Sequence, residues 1–407
     1  MIARQDRRAA RQPVPAARPG RALATARPGR ALATALAFTA FAALTAFTGP
    51  VLAAADLQTV AVARGLVNPW ALAFLPDGRM LVTERPGRMR IVGADGKLGP
   101  PLPGLPAVAA EGQGGLLDVV LDPKFSATHW VYWSYSEPAA APNSDNLNGT
   151  AVARGRLDGP TGAERLADVQ VIFRQLPKVA SRLHFGARLA FAPDGRLFVT
   201  LGERYSHKDD AQKLDNHLGK VVRIEADGRV PADNPLAARA DAKPEIWSWG
   251  HRNVQGAAIH PSTGELWTTE HGPQGGDELN RTLAGKNYGW PVITHGRNYG
   301  SGTVIGEGSL RADVEPALVF WVPISIAPSG MAFLTSDRYP GWKGQLFIGS
   351  LRAESLIRIE LAGNTVVRQE RLLRSLNERI RDVRQGPDGY LYVLTDSADG
   401  RILKLLP

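Results

Sequence analysis

The sequence has no cysteine among its 407 residues. That excludes disulfides, thiolate zinc sites and cysteine nucleophiles, and leaves core burial, sheet pairing or bound metal to stabilise the fold. Other signatures are missing as well. No GxGxxG, Walker A, HExxH, GxSxG or CxxCH pattern occurs, which removes the commonest nucleotide, zinc-protease, α/β-hydrolase and haem readings. There is no βαβ alternation and no long amphipathic helix, while 43 glycines and 30 prolines favour turns. Excess charge is absent where it would count. The first 55 residues hold eight arginines and one acid, Asp6, a charge of +7 out of the chain's +9, which leaves +2 for residues 56–407. A nearly neutral body gives nucleic acid no electrostatic footing, so no nucleic-acid partner is expected.

The N-terminus carries its own pattern. An arginine-rich region precedes the apolar run ALATALAFTAFAALTAF, and GPVLAAAD then offers small residues suited to signal-peptidase cleavage near Ala53 to Ala55. Residues 1–55 therefore read as an export segment, predicting a periplasmic or secreted protein with no stable membrane insertion after cleavage. A membrane anchor is the competing reading, and Arg7-Arg8 lacks the usual twin-arginine context.

Residues 56–407 repeat one phrase: an apolar strand, a turn with Pro-Asp-Gly or a relative, a second β-rich strand, then a polar or acidic residue. It occurs at 71–84, 118–137, 189–203, 257–270, 331–350 and 383–396, at spacings of roughly 45 to 80 residues. Each copy predicts a hairpin, and the spacing is that of a β-propeller blade. Segments such as MRIVGA, LGKVVRIEA and SLIRIEL would complete four-stranded antiparallel blades, and TVAVARGL could pair with the last blade to close the ring. The expected fold is all-β, a six-bladed β-propeller, with an irregular pair of β-sandwiches as the alternative. The polar stretches 138–180, 204–218 and 290–325 are expected as loops over its top face.

Chemistry-bearing residues gather at strand ends, where a rigid scaffold presents functional loops. His184 precedes Phe185-Gly186 just before a strand; such a histidine can take a proton from a hydroxyl or serve only as a structural hydrogen-bonder. Arg252-Asn253 follows a strand bearing Trp247 and Trp249. The arginine's forked donors suit carboxylates or quinone oxygens, and equally an inter-blade salt bridge. EHGPQGGDE at 270–278 combines flexible backbone with Glu270, Asp277 and Glu278, and Tyr288 lies close by. Carbonyls and carboxylates in a tight loop suit calcium, although this spacing is not an EF-hand and also fits a bare turn. Arg379 and Arg381 share one strand face, and Arg352 follows FIGSL in the preceding copy. Together the three arginines suit a polyanionic ligand; singly, each reads as a surface charge.

The fragments GQGGLLDVVLDPKF, HFGARL, GHRNVQG, EHGPQGGDE, KNYGWP, IGSLR and RIRDV occur in that order. As a set they resemble the soluble pyrroloquinoline-quinone (PQQ)-dependent aldose sugar dehydrogenases of the glucose/sorbosone dehydrogenase family, from about residue 60 to the C-terminus. The resemblance implies PQQ on the propeller's top face near the axis, aldose sugars as substrates and an external electron acceptor. It implies that His184 removes the proton of the sugar's C1 hydroxyl while hydride passes to the quinone. PQQ contacts would fall on Gln113, Arg252, Asn253, Arg352, Arg379 and Arg381, with Arg252 also stabilising charge on the reduced quinone. A calcium polarising the quinone would use main-chain oxygens of Gly272 and Pro273, and a second, structural calcium would use Glu278 and Tyr288. Leu183 stands where the glucose enzymes carry aspartate, and Arg352 where the family has lysine. Both differences point to the broad-specificity aldose branch. A calcium-dependent propeller lactonase and a non-catalytic ligand-binding propeller are the alternatives. Retention of His184, Gln113, Arg252, Arg379 and Arg381 together speaks against both.

Overall fold

The computed structural model describes residues 57–140 and 146–407. The expected export segment over 1–55 lies outside these residues. Six sheets form, five of four strands and one of five. The first blade comprises Pro69–Phe74, Met80–Glu84, Arg88–Val92 and Leu98–Pro101. The inner strands of the other blades are Leu116–Leu121, Gly186–Phe191, Val254–Ile259, Pro328–Phe333 and Ile380–Gln385. Each inner strand packs beside the inner strands of its two neighbours, so the ring closes. The sixth blade takes its outermost strand from the other end of the chain: Gln58–Leu66 runs antiparallel to Gly400–Leu406.

All six repeated phrases are the inner hairpins of the blades, and the turn chemistry explains why. In Pro76-Asp77-Gly78 the Leu75 amide donates to the Arg79 carbonyl at 2.8 Å and the Gly78 amide to the Leu75 carbonyl at 3.0 Å. Asp77 accepts the Arg79 amide at 3.0 Å, and Gly78 sits at φ +87°. Glycine adopts that left-handed geometry freely, and the aspartate fixes the loop. The same bonds recur around Asp194 and Asp388.

Packing follows from stacking blades face to face. Five of the six second strands are buried at every position, from Met80–Glu84 to Leu391–Thr395. A strand covered on both faces reads as a continuous apolar run rather than an alternation. The core accordingly divides into six clusters, one between each pair of neighbouring blades. Trp70, Leu116 and Trp133 join the first and second blades, and Leu72, Leu394 and Ile402 join the first and sixth.

One expectation is corrected. Within the stretch 138–180, Asn148–Asp158 and Arg165–Arg174 are strands rather than loop, the outer half of the second blade. The outermost strand alternates exposed and covered residues, and its polar face imitates loop composition. The stretch 290–325 likewise ends in a short outer strand, Val319–Trp321.

Every inner strand slips register against its hairpin partner near its start. The shifts fall at Pro69/Ala71, Leu116/Val119, Gly186/Leu189, Val254/Gly256, Pro328/Met331 and Ile380/Asp382. A bulge bends the strand and re-aims the side chains within it. Here it turns Trp70, Asp118, Arg188, Gln255 and Arg381 toward a common layer. Arg188 is buried there, 2.9 Å from Asp382, 3.4 Å from Asp118 and 4.0 Å over the Trp70 ring. Arg384 completes the square, 2.6 Å from Asp118 and 2.8 Å from Asp382. A side chain at Gly330 would collide with Asp382 and Arg188, so the fifth blade contributes only backbone. This paired-charge layer is the floor beneath the site.

Candidate active site

Above that floor lies a cavity of about 190 Å³, lined by Gln113, Arg379 and Arg381 together with Trp70, Gln255, His271 and Asp396. Three of the expected ligand residues therefore converge. Arg379 and Arg381 reach the same carboxylate, Asp396, at 3.1 Å and 2.9 Å. Burial pushes the Asp396 carboxyl up, but the two guanidiniums outweigh it and hold it at about 2. One anion thus faces two cations, and the Arg381 Nε, buried, has no partner.

His184 stands at the rim. Its backbone has φ 50°, and its amide donates to Gln113 Oε1 at 2.8 Å. The imidazole is buried, with Nδ1 3.0 Å from Glu203 Oε1. A carboxylate there accepts, so Nδ1 carries the proton and Nε2, which takes no protein hydrogen bond among the described residues, keeps its lone pair. Burial lowers the affinity of His184 for a second proton. Glu203 opposes this, and the positive charges of Arg252 and Arg204 add to the lowering. The ring is held neutral near pH 7.

Arg252 ties the His184 side of the rim to the loop that begins at His271. Its Nη1 donates to the carbonyls of His271 at 3.1 Å and Gly272 at 2.7 Å, while its Nε is buried and unpartnered. Its own carbonyl accepts the Glu203 amide at 3.0 Å, tying it to the residue that holds His184. Asn253 is buried with Oδ1 on the Gly186 amide at 3.0 Å, so one of its polar atoms braces the His184 loop. Arg352 stands apart, exposed, one residue beyond Leu351 in the cavity wall.

Of the expected metal residues, Gly272, Glu278 and Tyr288 line one small pocket with Arg252 and Glu270, while Pro273 is not in its wall. The Gly272 carbonyl accepts from Arg252, and the Pro273 carbonyl accepts the Tyr299 hydroxyl at 3.0 Å. Each oxygen keeps a second lone pair for a cation. Glu278 lies across the sheet from Glu270. Burial, then the Glu270 charge, pushes its carboxyl up to about 8, and the neighbouring Asn280 Oδ1 is buried without a donor. An excess of buried oxygen fits a hard cation. The Tyr288 phenol is engaged by Arg281 and Leu283, which leaves its carbonyl as the available ligand. Among the described residues no group of three or more His, Cys, Asp or Glu is placed to hold a metal, so carbonyls must take part in either site.

Sequence reasoning named Glu270 only as a candidate calcium residue and missed Glu203 and Asp396, yet each of the three ends a copy of the repeated phrase. In the fold that acid binds the segment entering its own blade. Glu84 accepts the Val67 amide, Glu203 the His184 ring, Glu270 the Arg252 amide at 2.7 Å, and Asp396 the paired arginines. The acid was visible; its partner is a tertiary contact.

The glucose/sorbosone dehydrogenase family profile matches residues 66–404. Aldose sugar dehydrogenase YliI of Escherichia coli is 46% identical over 358 residues, covering 87% of this chain and 94% of the relative. The crystal structure of the soluble aldose sugar dehydrogenase from Escherichia coli in its apo-form superposes with a TM-score of 0.82 at 45% identity, covering 86% of this chain and 99% of that one. The PQQ-bound aldose sugar dehydrogenase of Streptomyces coelicolor superposes with a TM-score of 0.69 at 29% identity, covering 86% and 98%.

Proposed function

The chain belongs to the glucose/sorbosone dehydrogenase family, and on that premise we propose that it oxidises the C1 hydroxyl of aldose sugars to lactones with PQQ as its cofactor. The observation that carries this reading is a buried neutral histidine bonded to Gln113 at the edge of the axial pocket, with unfilled guanidinium donors in that pocket and in the small pocket that shares His271 with it. Arg252 Nε and Arg381 Nε are buried with nothing to bond, and with Arg379 they suit the carboxylates and quinone oxygens of PQQ. Gln113 and Asn253 flank the same space, and Arg352 would close over its mouth.

Bound PQQ would take up the two electrons and the C1 hydrogen of the sugar as hydride. The protein's part is proton transfer and charge. His184 Nε2 accepts the proton of the C1 hydroxyl as the carbonyl forms, while Glu203 fixes the tautomer and stabilises the imidazolium. Arg252 places its positive charge where negative charge develops on the acceptor. Calcium at the Gly272 and Pro273 carbonyls would act as a Lewis acid, and calcium at Glu278 and the Tyr288 carbonyl would relieve the crowded carboxylates. An external acceptor then removes the electrons.

The lactonase alternative would need metal-binding side chains on the axis. The axial acids, Asp118 and Asp382, are instead paired with Arg188 and Arg384. We also infer export to the periplasm from the arginine-rich, apolar first 55 residues. Among the described residues no helix is long and apolar enough to cross a membrane. The deciding experiment is dye-linked oxidation of aldoses by the apo-protein with and without PQQ and calcium. Activity should require both additions and collapse in His184→Ala. Failure of PQQ to bind, read by absorbance, would refute the proposal.

A further inference from the structure

One segment beside His184 is unexplained by cofactor or base. Arg204 and Tyr205 are consecutive non-glycine residues with φ 66° and 69°. Left-handed backbone is costly for such side chains, and two in succession persist only where the surroundings impose them. Arg204 supplies the constraint. It is fully buried, and its guanidinium donates to the carbonyls of Leu183 at 3.0 Å, Asn148 at 3.0 Å and Ser181 at 2.5 Å, and to Asn148 Oδ1 at 2.6 Å. It also lies 3.8 Å over the Phe185 ring. These contacts bind both sides of the His184 loop and fix the chain at that point.

The result is the placement of Tyr205. Its side chain turns outward and is 54% exposed, so no core contact offsets the strain. Its ring centroid is 5.4 Å from the His184 imidazole at an interplanar angle of 76°. The phenol takes no protein hydrogen bond among the described residues. A rigid, half-exposed aromatic face beside a general base suits an amphipathic ligand with an apolar face and a polar edge. The C–H face of a pyranose ring is such a surface.

We propose that Tyr205 forms the wall of the sugar subsite, packing against the C–H face of the pyranose while the C1 hydroxyl meets His184 Nε2. This deepens the function proposed above and rests on it. A stacking wall reads the ring's face rather than any single hydroxyl, so it admits aldoses that differ in configuration away from C1.

The test compares Tyr205→Ala and Tyr205→Phe with the parent, all loaded with PQQ and calcium. Tyr205→Ala should raise KM for several aldoses by about 2- to 12-fold, the worth of one aromatic contact. Its kcat, the acid limb of its pH profile and its PQQ affinity by absorbance titration should stay those of the parent. Tyr205→Phe should keep the parent's KM. An unchanged KM in Tyr205→Ala overturns the proposal. A fall in kcat with a shifted acid limb also does so, by placing Tyr205 on the base rather than the sugar. Lost PQQ affinity would assign Tyr205 to the cofactor, and equal damage in Tyr205→Phe would assign the effect to the hydroxyl. If the parent oxidises no aldose with PQQ, the function reading itself fails, and that is seen before any variant is compared.

Discussion

Replacing Glu203 with glutamine isolates the contact that sets the state of His184. The carboxylate does two things: it accepts from Nδ1 at 3.0 Å, and its charge favours the imidazolium. Glutamine keeps the shape and loses the charge. A hydrogen bond to a charged group contributes about 1.5–3 kcal/mol, and about 1.4 kcal/mol is tenfold in rate. If that interaction is made with the imidazolium of the transition state, kcat falls about 10- to 150-fold. The pH profile provides a second, independent readout. Burial already lowers the His184 pKa, Glu203 raises it, and the charges of Arg252 and Arg204 lower it further. Removing the raising partner lowers it again, so the base stays neutral to more acidic pH. The acid limb of kcat/KM should move downward while the plateau drops. Pre-steady-state mixing of PQQ-loaded enzyme with aldose across pH 4 to 8, with about this range chosen to bracket an ordinary histidine, measures both. An acid limb that moves upward, or a plateau unchanged, refutes the assignment of Glu203 as the group positioning His184.

Four further outcomes follow from the same geometry. His184→Ala should lose about 10²- to 10⁴-fold in kcat, the range of a general base, while binding PQQ as the parent does by absorbance titration. Arg381→Met should weaken PQQ binding by about 10- to 150-fold per lost charged hydrogen bond; affinity within a factor of two of the parent would remove Arg381 from the cofactor site. Asp118→Ala should destabilise the fold by about 3–5 kcal/mol in urea unfolding, because it strips a partner from the buried Arg188 as well as from the half-buried Arg384. Asp118→Leu combined with Arg188→Met and Arg384→Met should cost less than that single change. Calcium should raise the thermal midpoint of the apo-protein, and Glu278→Gln should abolish that rise.

How much of this was legible in the sequence depends on how local the cause is. Three of the six hairpins were readable because Pro-Asp-Gly chemistry acts within five residues, as at Leu75 to Arg79, and the other three because the same strand–turn–strand phrase surrounds a related turn. The closing strand was readable because Gln58–Leu66 lies outside every hairpin and had one vacant place to go. The strands Asn148–Asp158 and Arg165–Arg174 were not: the edge strand Arg165–Arg174 alternates exposed and covered residues, and Asn148–Asp158 is mostly buried yet built largely of Asn, Gly, Thr and Ala rather than large apolar residues. Of the residues named from the sequence, Gln113, Arg379 and Arg381 line one pocket, and His184 is bonded to Gln113 at its edge. Their charge partners were missed because Glu203 and Asp396 are 19 and 15 or more residues away along the chain. The bulges were invisible for a deeper reason. A register slip is a relation between two strands, and neither sequence alone records it.

The seam between Gln58–Leu66 and Gly400–Leu406 makes the two ends of the described chain a single mechanical joint. Contacts that span most of a chain are the slowest to reach, because the intervening loop must close before they give anything back. Until Gly400–Leu406 is available, the first strand is an unpaired edge, open to pairing with another chain. The pocket draws on the same blade, because Arg379, Arg381 and Asp396 belong to it. Sealing the ring and completing the pocket therefore both depend on the last blade, which is built from the two ends of the described chain.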